Sequence, residues 1–387
     1  MPLAAALSRV LAQDVVSPIA VPAHDNSAMD GYALHGADLQ ASGQTTLHAD
    51  PHTIFAGTSS APAVAPGHCV RIMTGAVMPQ GTDTVVPIEL CQVQAGQVSI
   101  AAGVLRNGDN RRLRGEDLAL GGVALRAGRV LQPADLGLLA SLGLAQVQVL
   151  RRLRVALFST GDELRSPGQP LGPGQIYDSN RYSLLAALTR LGMDVIDLGL
   201  VPDDPEQLRA TVDTAIEQAD AVITSGGVSM GDADHTRDLL AARGEVAFWK
   251  VAMRPGRPFA FGPLRGANGK TAYLFALPGN PVAALVTFYA FARDALLTLA
   301  GAQQAAAPRL MAKSAVAIRK RPGRTEFQRA VVSRSAAGGW EVRTTGAQGA
   351  GILRSMSEAN ALLVLGHDQG SVAAGEDVEV WLFEGLI

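Results

Sequence analysis

The stretch TSGGVSMGDADHT, residues 224–236, leaves the apolar run ADAVI through two glycines and two hydroxyls and then reaches two aspartates. Glycines at the carboxyl end of a buried strand let backbone N–H groups approach an anion, and a following helix adds partial positive charge. Gly226, Gly227 and Ser229 could therefore cradle a phosphate, while Asp232 or Asp234 could hold a hard cation such as Mg2+ that bridges phosphate oxygens. The plain alternative is a turn followed by a helix cap at Asp234. FSTGDEL follows LRVAL in the same manner, with Ser159, Thr160, Gly161, Asp162 and Glu163 at the exit, so two exits could face one pocket. IYDSNRYSLL sets Asp178, Ser179 and Asn180 at a helix start, where Asp178 or Ser179 could cap the helix or bind an anion or a ribose.

Cations stand nearby in sequence. FWKVAMRPGRPF offers Lys250, Arg254 and Arg257 around a Pro-Gly turn; converging, they would neutralise a phosphate or an oxyanion, and otherwise they form a solvated basic face. LPGNPVAAL joins a strand to a helix through Pro278, Gly279, Asn280 and Pro281, a rigid turn. RNGDNRRLRGEDL crowds Arg106, Arg111, Arg112 and Arg114 beside Glu116 and Asp117, which suits a phosphate contact plus a metal carboxylate, or simply a charged loop. His235 follows Asp234, but no HExxH or GxxxxGK[ST] occurs, so a zinc hydrolase and a P-loop enzyme find no support.

The elements that would position these residues read as follows. Residues 1–22 suggest a helix and a short extended piece, and 126–152 has the same texture; the two are expected to form one discontinuous domain. Between them, 23–125 is punctuated by Gly and Pro in short alternating runs, an inserted β-rich domain. From 153 to 304 strands alternate with helices, as in a largely parallel α/β sheet; Asp204 reads as an N-cap with Gln207 closing a capping box. Residues 305–387 return to short alternating runs, a β-barrel. Thr271–Ala292 would just span a bilayer, but LPGNP interrupts it, so it reads as strand, turn and helix.

At 387 residues and a net charge of -2, the chain is multidomain and is not drawn as a whole to nucleic acid or to an anionic membrane. Two cysteines, Cys69 and Cys91, exclude a disulfide scaffold and suit a reducing cytoplasm, as does a start without a basic export signal.

Taken in order, DNSAMDGYAL, VRIMTGAVMP, RRLRGEDL, STGDEL, IYDSNRYSL, TSGGVSMGDADHT, FWKVAMRPGRPFAFG and LPGNPVAAL resemble the molybdopterin molybdenumtransferase family, MoeA and the related E domain of gephyrin. The resemblance implies a multidomain homodimer with a central molybdopterin-binding α/β domain. It also implies a reaction in which molybdate enters the dithiolene of adenylylated molybdopterin and AMP leaves, with Mg2+ as the metal. By the same resemblance, Asp30, Thr74, Asp117, Glu163 and Asp234 are active-site polar residues, Arg112 guides the anionic substrate, Lys250 sits at the cleft, and Pro278 and Pro281 form the rigid turn. The metal falls to Asp234 or Glu163. Hand-over to a molybdopterin adenylyltransferase and to molybdoenzyme-maturation proteins fits such a product. Arg254 stands where the family often has lysine, which keeps the charge and changes its geometry.

Two rivals use the same residues. An adenylyltransferase or nucleotide-pyrophosphate hydrolase would share SGGVSMGDAD and PGNP, but SAMDGYA and RGED argue against it. A dimeric, non-enzymatic scaffold is the other, and no fused partner domain or long disordered linker supports it.

Overall fold

The computed structural model describes residues 1–58, 62–227, 243–303, 309–336 and 338–383. The chain divides into two compact units, the first made of Met1–Leu7, Leu11–Ala127 and Leu131–Gln148. Its main sheet orders the strands Thr84–Pro87, Gly31–Leu34, His68–Ile72, Gln44–Ile54, Gln97–Ala101 and Cys91–Gln94, antiparallel except for the pair Gln44–Ile54 and His68–Ile72. Strand side chains alternate between faces, so Tyr32 and Leu34 join one apolar cluster while Ala33 joins another. Cys69 is a free buried thiol whose pKa burial pushes up to about 12, and Cys91 is also free.

The helix expected at the N-terminus is reduced to a three-residue 3-10 turn, Leu3–Ala5. Its backbone is claimed elsewhere: Leu3 N–H donates to the Ala145 carbonyl at 2.9 Å, Ala12 N–H to Gln148 at 3.0 Å, and Val15–Val16 pairs with Val123–Leu125. Inter-segment pairing thus outweighs the weak intrinsic preference of an alanine-rich run. The Pro-started helix does form, as Pro133–Ser141, and stops before Gly143 at φ 75°.

The second unit comprises Ser8–Val10, Gly128–Val130 and Val149–Ile387. Its six central strands are β1 (Arg154–Thr160), β2 (Asp194–Val201), β3 (Ala221–Ser225), β4 (Ala247–Lys250), β5 (Pro258–Arg265) and β6 (Thr271–Leu277), in the spatial order β2-β1-β3-β6-β5-β4. The pairs β1–β2, β1–β3 and β3–β6 are parallel, whereas β5 runs antiparallel to both its neighbours, β6 and the edge strand β4. The short link between β5 and β6 explains the reversal, because a parallel pair needs a long crossover.

Period-two alternation divides β1 between two cores. Val155 and Leu157 pack with Leu184 and Leu188 of helix Asn180–Arg190, and Ala156 and Phe158 pack with Leu208, Val212 and Ile216 of helix Pro205–Gln218. Each fully buried Leu, Val or Phe contributes ~1.5–3 kcal/mol. The apolar stretch from Pro281 to Leu299 is helical with a π turn at Phe288–Ala292, and 67% of its apolar window is buried inside the protein.

The C-terminal strands close into a five-stranded barrel. Thr325–Arg334 pairs with Trp340–Thr344, then follow Arg309–Ser314, Asp377–Leu382 and Ala361–Leu365, which returns to Thr325–Arg334. A sixth, two-residue strand, Met253–Arg254, comes from the α/β region and pairs in parallel with Thr325–Glu326. The basic Pro-Gly turn is therefore clamped onto the barrel.

Candidate functional site

In an open α/β sheet the place for a ligand is the crevice beyond the carboxyl ends of the strands, where the strand order reverses. Here the chain goes from β1 outward to β2 and then back across to β3, so the reversal lies between β1 and β3. A cleft of about 790 Å3 opens there, and it lies wholly within the second unit.

Three strand exits form its floor: Thr160 and Gly161 after β1, Ser225, Gly226 and Gly227 after β3, and Pro278, Gly279 and Pro281 after β6. One side chain ties two of them together. Asn180 is 7% exposed, and its Nδ2 donates to Ser225 Oγ and to the Gly279 carbonyl, each at 2.7 Å. Ser159 Oγ donates to Asp178 Oδ1 at 3.2 Å, which brings the first exit to the same helix start.

Gly226 has φ 93°, and a Cβ there would stand 2.5 Å from the Thr160 carbonyl oxygen. Only glycine lets β1 and β3 leave the sheet so close together. Its N–H is spent on the Leu277 carbonyl at 3.2 Å, whereas the Gly227 amide has no acceptor among the described residues and is the one at this exit that could meet an anion.

Asp178 is buried and fully engaged, accepting from Ser159, from Arg181 N–H at 3.1 Å and from Arg181 Nε at 3.3 Å. It acts as the cap of helix Asn180–Arg190, while Ser179 makes no side-chain cap and faces the cleft. Asp203 accepts from the Thr160 hydroxyl. Glu163 differs: its carboxylate folds back over Gly161, is exposed in the cleft, and has no hydrogen-bond partner among the described residues.

The walls are basic. Arg254, Arg257 and Arg324 all line the cleft. Arg254 is 3.9 Å from Glu326 Oε1, too long for a hydrogen bond, and neither Arg257 nor Arg324 has an ion-pair partner among the described residues. Arg324 closes a loop that Lys320 anchors: the buried Nζ donates to the Gln369 carbonyl at 2.7 Å. Lys250, expected at the cleft, ends β4 as an exposed residue and is not among those lining it.

The first unit gathers a separate polar patch from three segments. Ser27 N–H donates to Ala76 at 2.9 Å, Ala28 N–H to Asn110 at 2.9 Å, and Asn26 pairs with Arg112. On this frame Asp30 Oδ1 accepts from both the N–H and the hydroxyl of Thr74 at 2.7 Å, and the Thr74 N–H above all holds the Asp30 carboxyl below the ordinary aspartate range. Arg112 Nε donates to Glu116 Oε1 at 2.7 Å and lowers that carboxyl too, while the exposed Asp117 carboxylate has no partner among the described residues. Ser229, Asp232 and Asp234 lie outside the described residues.

Sequence reasoning passed over Arg324, Gln348 and Asp203. Arg324 ends the run RKRPGR, whose charge around a Pro-Gly pair was a usable signal, whereas Gln348 carries none.

The α/β sheet with its reversal-point cleft has the architecture of a doubly wound ligand-binding domain, and residues 156–298 match the family model described as a probable molybdopterin binding domain. Residues 1–143 match the MoeA N-terminal region, domains I and II, and 311–383 the MoeA C-terminal region, domain IV. The chain is 42% identical over 383 residues to the molybdopterin molybdenumtransferase of Haemophilus influenzae, covering 99% of this chain and 93% of that protein. It is 39% identical to molybdopterin molybdenumtransferase 2 of Mycobacterium tuberculosis, covering 98% and 94%. The solved molybdopterin biosynthesis moeA protein of Pyrococcus horikoshii superposes with a TM-score of 0.81 at 28% identity, covering 99% and 94%. This chain belongs to the MoeA family of molybdopterin molybdenumtransferases.

Proposed function

We propose that the protein inserts molybdate into adenylylated molybdopterin and releases AMP, completing molybdenum cofactor. The carrying observation is one cleft in which glycine-rich exits of three parallel strands meet the guanidinium groups of Arg254, Arg257 and Arg324. Such a site suits a substrate with a pyrophosphate and a second substrate that is itself a dianion. Gly227 meets the pyrophosphate through its backbone, Ser179 offers a hydroxyl beside it, and the three arginines draw in molybdate. Asn180 holds the β3 and β6 exits together and Asp178 holds the β1 exit to the same helix start, so that these donors need not reorganise during reaction.

Among the described residues no three His, Cys, Asp or Glu side chains come together as a metal site. Mg2+ seldom needs such a cage, because it keeps waters and takes one or two carboxylates plus substrate phosphates. Glu163, without a side-chain partner among the described residues at the cleft, fits that role, with Asp234 as the second carboxylate. Bound there, Mg2+ would neutralise charge on the pyrophosphate as AMP departs.

Asp30, Thr74, Arg112, Asp117 and Lys250 enter this reading through their motifs. Thr74 keeps Asp30 ionised and fixed in direction, which suits a carboxylate that orients rather than one that donates a proton. A cytoplasmic homodimer that passes its product to a molybdopterin adenylyltransferase or to maturation proteins belongs to the same reading.

The test supplies purified protein with adenylylated molybdopterin, Mg2+ and molybdate, and follows AMP. Molybdate-dependent release is expected, reduced by ~10²-fold or more in Asp234→Ala and in Glu163→Gln. Release indifferent to molybdate would indicate a pyrophosphate hydrolase, and no release would favour the scaffold.

A further inference from the structure

The largest fully buried side chain among the described residues is an arginine, Arg329, on the barrel strand Thr325–Arg334. A buried guanidinium is normally neutralised by a carboxylate, since an unpaired charge is costly to desolvate. Arg329 has no such partner among the described residues. Its Nε donates to Ser355 Oγ at 2.9 Å, and its Nη2 donates to the carbonyls of Gly349 at 3.0 Å and Ala347 at 3.4 Å. Its backbone is bound to the same segment, donating to Gln348 Oε1 at 2.8 Å and accepting from Thr345 N–H at 3.0 Å and Gln348 Nε2 at 3.1 Å.

The segment 345–352 has no helix or strand of its own. It nevertheless supplies Gln348 and Ala350 to the cleft, and the Ala350 carbonyl accepts the Val282 N–H at 3.0 Å just after the Pro278–Pro281 turn. One wall of the cleft is thus an irregular loop held from behind by one residue, through the Arg329 main chain at Thr345 and Gln348 and through its guanidinium at Ala347 and Gly349.

We propose that Arg329 is a positioning residue for the cleft, fixing the wall formed by Gln348 and Ala350 and, through Ala350, its seat against the helix that begins at Pro281. The planar guanidinium spaces a hydroxyl and two carbonyls at once; a lysine would keep the charge and lose that spacing. Carbonyl partners also leave the positive charge uncancelled, in a domain that gathers anions, where a carboxylate would subtract from the field. The inference rests on the reading that this cleft takes adenylylated molybdopterin.

The experiment uses the full chain with Arg329→Lys and Ser355→Ala, the second removing the Nε partner and with it the Ser355 hydroxyl's bond to the Ile352 carbonyl. Steady-state AMP release gives KM for adenylylated molybdopterin and kcat, and amide hydrogen exchange reports the segment 345–352. Arg329→Lys is expected to raise KM by about tenfold with kcat changed by less than about twofold, and to speed exchange across 345–352 while β1 and β3 stay protected. Ser355→Ala moves both in the same direction by less. Faster exchange with an unchanged KM would overturn the proposal, because the wall would then not matter to substrate; so would a raised KM with unchanged exchange, because charge alone would then be acting. If Arg329→Lys fails to fold, KM and the exchange of residues 345–350, clear of the Ser355–Ile352 bond, decide on Ser355→Ala. A wild-type protein that releases no AMP sinks the transferase reading separately, and exchange across 345–352 then decides whether Arg329 holds the wall.

Discussion

Asp30 and Thr74 are 44 positions apart in sequence, and two hydrogen bonds to one oxygen join them. The folded-state pKa of Asp30 is depressed, so the pair contributes stability above the unfolded aspartate pKa and loses it as pH falls through the lower folded value. The backbone donor is the larger cause, and Thr74→Val removes only the smaller one. Carboxyl NMR titration of that variant should show the Asp30 pKa rising while remaining below its ordinary value; no rise would mean the hydroxyl contributes nothing. At Gly226 the argument is steric. Gly226→Ala combines a positive φ with a Cβ pressed on the Thr160 carbonyl, and should cost ~1–3 kcal/mol in denaturant unfolding and distort the cleft floor.

Among the elements, helix Pro205–Gln218 shows what a sequence can announce. Asp204 accepts from Gln207 N–H at 2.8 Å, as its place before a proline suggests, although the reciprocal bond of a full capping box does not form. Asp204→Ala should lower stability by about 1 kcal/mol, read as a shift in denaturation midpoint with unchanged slope. The strands β1, β3 and β6 were equally legible, since short apolar runs ending in Gly or Pro carry a local signal. Direction and partner choice were not. Nothing within EVAFWKVAM says that β4 pairs antiparallel with β5, or that Met253–Arg254 leaves the sheet to pair with the barrel. Leu3–Ala5 misled for the same reason, because its backbone partners lie more than a hundred positions away.

For the whole molecule, the α/β region and the barrel share a core: Phe327, Met356 and Leu362 of the barrel pack in one cluster with Leu277, Val286 and Phe288. A chain ending at residue 303 should therefore be insoluble or bind a hydrophobic dye at native pH, rather than persist as an intact α/β domain. A soluble, cooperative fragment in scanning calorimetry would contradict that. The site followed the same division of legibility. Its glycines, Asp178, Ser179, Arg254 and the two prolines could be named from motifs, whereas Gln348 and Arg329 emerge only when the barrel folds against the sheet.

The Asn180 staple also bears on how such chains can change length over generations. Two bonds of 2.7 Å and the neighbouring Ser159–Asp178 contact leave the exits at 159–161, 225–227 and 278–280 no slack, so an inserted or deleted residue in any one of them pulls on the other two. The turn around Gly269, where an added Cβ would meet nothing, is free of that bond. Relatives should accordingly vary in length at such outer turns and keep the three exits at fixed length even where their residues drift.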